Sequence, residues 1–96
     1  MKLKKEDAIK VMKVIKDPEL NIDIWTLGLI YDVNLKEGNN IDIKMTFTSP
    51  MCPFGPQIVN ELKSRLKQVG FNEPNINVVF EPQWQPSQEV RDILGV

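Results

Sequence analysis

Residues 46–56 read TFTSPMCPFGP, and this stretch decides the fold because it separates two different hydrophobic periods. Upstream, Ile41, Ile43, Met45 and Phe47 alternate with Asp42, Lys44, Thr46 and Thr48, which predicts a strand over 41–48. Downstream, Ile58, Val59, Leu62, Leu66 and Val69 recur at helical spacing, which predicts a helix over 53–69. Pro53 suits the fixed φ of a first helical turn, and Gly70 suits the position just past the end. The chain's one cysteine, Cys52, therefore falls where a strand hands over to a helix, a place where backbone N–H groups lack intrahelical partners.

Outward from that turn the other elements follow. Ala8, Val11, Met12 and Ile15 share one face of a helix predicted over 5–16, with Lys10 and Lys13 left on a solvated face. Pro18 cannot continue that helix, so residues 17–20, Asp-Pro-Glu-Leu, read as a turn. A loop tucking Ile22, Ile24 and Leu27 inward leads through Gly28 to a strand with Leu29, Tyr31, Val33 and Leu35 on one face. Residues 36–40, KEGNN, have hairpin composition, so the strand over 41–48 runs antiparallel to its predecessor. Ile76, Val78 and Phe80 alternate in a third strand, joined to the second by a helical crossover that favours a parallel pairing. Pro82, Trp84 and Pro86 make a stiff exit, with Trp84 as a lid on the core. Ser87 caps a last helix over 88–94. The order α-β-β-α-β-α predicts an α+β fold, a two-layer domain of helices packed on a small mixed sheet, with residues 1–96 as a single domain.

Composition narrows the function classes. With 96 residues and a net charge of −1, the chain has no bulk field for nucleic acid or an anionic membrane. No apolar run approaches the roughly 20 residues of a spanning helix. The opening MKLKKEDAIK lacks the apolar centre of a signal peptide, so a cytoplasmic location is expected. One cysteine and no histidine exclude an internal disulfide, a closed zinc site within one chain, and Ser-His-Asp or Cys-His catalysis.

What remains is one thiol in an unusual setting. At a helix N-terminus the macrodipole favours the Cys52 thiolate, and the Thr48 hydroxyl is expected within reach of the sulfur. A thiolate there would attack an electrophile, exchange disulfides or bind a soft metal ion. Against this, free cysteines often act as small buried hydrophobes, and the residues alone leave both readings open. Asp17 and Glu19 are equally double: a turn that terminates a helix, or a carboxylate pair beside the thiol.

Three blocks carry a resemblance: DPELNIDIWTLGLIYDV, MTFTSPMCPFGPQIVNELKSRL and EPQWQPSQEVRDILG. In this order and spacing they are similar to the SufT/PaaD-like iron–sulfur cluster maturation family, over nearly the whole chain. The resemblance implies that Cys52 is the reactive or cluster-binding thiol, with Thr48 four residues before it. It also implies that Asp17, Glu19 and Leu20 line the same pocket. Its implied partners are iron–sulfur client proteins and assembly factors, and some members form homodimers. The sequence departs from the family's pattern at Asn21, where many members have proline, at Thr26, where many are acidic, and at Met51, where a small residue is common.

Iron–sulfur clusters take about four thiolate ligands, and one chain supplies one. A labile 2Fe–2S or other cluster would be shared between two chains or completed by a partner's thiols, and it would not be required for folding. The expected function is an iron–sulfur assembly or carrier factor, not an enzyme, with Cys52 as ligand and Thr48 tuning it. Asp17, Glu19 and Leu20 would shape the pocket mouth or meet the partner. The rival reading is a metal-free adaptor, in which Cys52 packs and the surface around Trp84 or the acidic turn carries affinity. A third is a thiol-dependent enzyme acting through Cys52.

Overall fold

The computed structural model describes residues 3–49 and 53–95. Its elements are α1 (Lys5–Met12), β1 (Ile30–Lys36), β2 (Asn40–Met45), α2 (Gly55–Val69), β3 (Pro74–Val78) and α3 (Gln88–Leu94), in the predicted order. The sheet runs β1-β2-β3, with β1 antiparallel and β3 parallel to β2. Val33, Ile43 and Ile76 lie abreast on the covered face, and Asp32, Asn34, Asp42, Lys44, Asn75 and Asn77 occupy the other. One face is covered, so the fold has two layers, with α2 packed on β3 and α1 on both α2 and β1. Ala8, Met12, Ile58, Leu62 and Leu66 from the helices meet Ile41, Ile43 and Met45 from the sheet in the core, all at 2% exposure or less.

Several boundaries differ from the sequence expectation, each for a local reason. α1 starts where the Asp7 carboxylate accepts the Lys4 N–H at 2.8 Å, but it stops at Met12 rather than 16. Ile15 is buried as the helical pattern requires, yet it lies in extended chain: Lys16 bridges Asp23, and the Ile24 N–H donates to the Ile15 carbonyl at 2.9 Å. Tertiary pairing has taken over the last turn. In β1 the register steps between Ile30 and Asp32, leaving Tyr31 as an extra residue. Of the expected Leu29–Tyr31–Val33–Leu35 face, Leu29 and Val33 are buried, Tyr31 is the bulged residue, and Leu35, near the hairpin end, is 39% exposed.

β2 ends at Met45, and the alternation fails one residue later, since Thr46 is buried at 1% rather than facing water. α2 begins at Gly55 with Pro56 in its first turn, two residues later than expected, and Phe54 at its N-cap makes no side-chain bond. β3 stops at Val78, which leaves Phe80 beyond the ladder and 42% exposed. The KEGNN hairpin contains a short 3-10 turn, Glu37–Asn39, with Gly38 and Asn39 both at positive φ. The Ser87 cap holds as predicted: its side chain accepts the Val90 N–H at 3.2 Å.

Candidate functional site

β2 and β3 run side by side and then part. After Met45 the chain turns towards α2; after Val78 it becomes a strap, residues 79–87, that crosses back to the start of β1. Diverging connections at the carboxyl ends of these two parallel strands leave a crevice between them. Here the crevice has a volume of about 330 Å³ and is lined by Thr46, Phe47 and Thr48 on one side and Phe80, Glu81, Gln83 and Trp84 on the other.

The walls are fixed by particular contacts. Phe47 and Phe80 meet edge to face with centroids 6.2 Å apart. Gly55 lies against the other side of Phe47: a Cβ there would come within 2.5 Å of the ring, so only glycine allows this approach. The strap is tied three times. The Val79 N–H donates to the Met45 carbonyl at 2.8 Å, the Tyr31 hydroxyl to the Pro82 carbonyl at 2.8 Å, and the Trp84 indole N–H to the Leu27 carbonyl at 2.7 Å. The bulge at Tyr31 thus has a use, since its side chain anchors the strap. Trp84 is half-buried against the core, as a lid should be. Thr46 is held through its N–H, which donates to the Leu29 carbonyl at 2.8 Å.

Of the residues singled out in the sequence, Thr48 and Trp84 line the crevice. Cys52, with Pro50 and Met51, lies outside the described residues; the chain re-enters description at Pro53 and reaches the first residue of α2 at Gly55. Asp17, Glu19 and Leu20 are not among the lining residues. Asp17 is 1% exposed, and one of its carboxylate oxygens accepts the N–H groups of Glu19 at 2.8 Å and Leu20 at 3.3 Å. That oxygen holds the turn closed, as an Asx turn does. Glu19 points its chain position to solvent, and Leu20 packs on the core. Among the described residues no group of three or more carboxylates is placed to hold a metal ion.

Sequence reasoning missed Thr46, Phe47, Phe80, Glu81 and Gln83 as wall residues. Their only sequence signal was position, just past the ends of two strands whose parallel pairing brings 46–48 beside 80–84. The side chains of Glu81 and Gln83 have no hydrogen-bond or ion-pair partner among the described residues.

Residues 5–78 match a family model described as iron–sulfur cluster assembly protein. The chain is 40% identical over 87 residues to the Fe-S protein maturation auxiliary factor SufT of Staphylococcus aureus, covering 86% of this chain and 99% of that one. It is 38% identical over 96 residues to the Fe-S protein maturation auxiliary factor YitW of Bacillus subtilis, covering 96% and 94%. Both relatives carry the name of an auxiliary factor and not of an enzyme. A crystal structure of a domain of unknown function from Bacillus anthracis superposes with a TM-score of 0.87 at 38% identity, covering 96% of this chain and 92% of that one. The family model's match ends with β3, whereas the match to the Bacillus subtilis relative covers 96% of this chain and so runs on through the strap.

Proposed function

The chain belongs to the iron–sulfur cluster assembly protein family, and we propose that it is an iron–sulfur assembly and carrier factor whose cargo ligand is Cys52. The supporting observation is that Thr48, four residues before this cysteine, forms part of the wall of the crevice at the ends of β2 and β3. Thr48 brings a hydroxyl to the crevice wall, and Phe47, Phe80 and Trp84 make the rest of that wall largely apolar. Because one chain offers one thiolate, a second chain or a client completes the ligand set, and such incomplete ligation suits transfer rather than storage. Asp17 fixes the acidic turn, and Glu19, exposed upon it, is the side chain available to a partner.

Anaerobic cluster reconstitution on the wild type and Cys52→Ala tests this reading through iron and sulfide content and the visible spectrum. Stoichiometric cluster in the wild type that passes to an apo-acceptor, and none in the variant, is the expected result. Iron at background in both proteins overturns carriage.

The metal-free adaptor keeps a specific observation in its favour, the 42% exposure of Phe80. Thiol titration separates the two: rapid reaction of Cys52 at neutral pH fits the carrier, and a thiol silent until denaturation fits the adaptor.

A further inference from the structure

The strap makes half of the crevice, and cluster carriage alone does not account for its composition. Phe80 is 42% exposed even though its ring edge meets Phe47, and Trp84 is only half-buried although its N–H is bonded. Aromatic groups held rigidly and left partly open are the usual anchors for a protein partner. Beside them Glu81 stands at the rim with no ion-pair partner among the described residues. Along the sequence from Val79 onward Glu81, Glu89 and Asp92 outnumber Arg91, so this stretch of chain is acidic, and Glu81 brings that charge to the crevice. A volume of about 330 Å³ is small even for a ligand pocket, and it suits one or two side chains rather than a folded surface.

We propose that the crevice receives an extended basic segment of the partner protein. One apolar side chain of that segment seats between Phe80 and Trp84, and a neighbouring lysine or arginine pairs with Glu81. That the partner gives or takes a cluster rests on the carrier reading; the docking itself does not. In this arrangement the strap supplies Phe80, Glu81 and Trp84, the residues that would contact the segment.

The test is a titration of the cluster-free protein, followed by amide NMR, with three synthetic peptides. One is a leucine flanked by lysines, one a leucine flanked by glutamates, and one an alanine flanked by lysines. The expected result is saturable shifts confined to 46–48 and 79–84 with the first peptide, and weak or absent response with the other two. Glu81→Lys, whose spectrum elsewhere reports that it folds, should weaken the first peptide about five- to tenfold at low salt. Equal binding of the glutamate peptide, or no shifts at these residues, overturns the proposal. So does a concentration-dependent shift of the same residues without peptide, which would assign the crevice to a second copy. Peptide binding without cluster reconstitution removes the carrier reading alone, and reconstitution without peptide binding removes the docking alone.

Discussion

The indole N–H of Trp84 donates to the carbonyl of Leu27 at 2.7 Å, joining residues 57 positions apart. Leu27 is 1% exposed, so its carbonyl has little access to water if that donor is lost. Trp84→Phe keeps an aromatic ring on the core and deletes the N–H. We expect it to cost about 1–3 kcal/mol, read as a lower urea midpoint with an unchanged slope. Faster amide exchange should be confined to the strap and the start of β1. An unchanged midpoint would mean that packing alone holds the strap.

Gly55 and Phe47 form a second such pair. Gly55→Ala favours the helix, by less than the about 1 kcal/mol of an interior site because Gly55 opens α2, yet its methyl meets the Phe47 ring at 2.5 and 2.8 Å. Overpacking should win and destabilise the protein by about 1–3 kcal/mol. In a Phe47→Leu background the same change should become neutral or stabilising, and a double-mutant cycle by chemical denaturation measures the difference.

The Asp17 turn gives a graded series. Asp17→Ala removes the acceptor for the Glu19 and Leu20 N–H groups and should cost about 1–2 kcal/mol. Asp17→Asn keeps one carbonyl oxygen and should lose less than half of that. Thermal melts of the two variants at one pH separate a turn role from a charge role: equal losses would argue that the charge matters and the acceptor does not.

Asn21 sits in the same turn at φ 58, and its N–H donates to the Asp17 carbonyl at 2.7 Å. Proline, the residue many family members carry here by the resemblance above, can adopt neither that φ nor that bond. Asn21→Pro should cost about 3 kcal/mol or more, while Asn21→Gly should be close to neutral. Circular-dichroism melts decide between these outcomes.

On the open face of the sheet, Lys36 and Asp42 are 2.7 Å apart across β1 and β2. The Lys36 ammonium, assisted by the Asn75 amide, holds the Asp42 carboxyl below its ordinary 3.8. A lowered folded-state value means that the carboxylate's contribution is present above the ordinary range and lost as pH falls through the lowered value. Carbon-detected NMR titration should give an Asp42 midpoint below 3.8 that rises in Lys36→Ala. Because the pair is exposed, added salt should shrink the difference.

The element order, the α+β class and the packing faces are legible in the residues alone, because period-two and helical patterns report directly on which side chains leave water. Ile41, Ile43, Met45, Ile58, Leu62 and Leu66 were legible this way, and so were the Ser87 cap and the family resemblance. Where α1, β2 and β3 stop came from tertiary structure, whereas α2 ends at Val69 before Gly70 and α3 runs from Gln88 to Leu94 as the sequence pattern predicts. Ile15 satisfies a helical pattern while flanking the Lys16–Asp23 bridge, because burial does not depend on how the backbone carries the side chain inward. The bulge at Tyr31 and the burial of Thr46 depend on partners more than ten residues away, which no local period encodes. The crevice is the clearest case. Thr48 was legible from its place before Cys52, but the wall opposite it comes from 80–84, brought there by the parallel pairing of β2 and β3. A chain's local pattern fixes what each segment can bury; which segments then stand face to face is settled by hydrogen bonds such as Trp84 to Leu27 that exist only once the fold has closed.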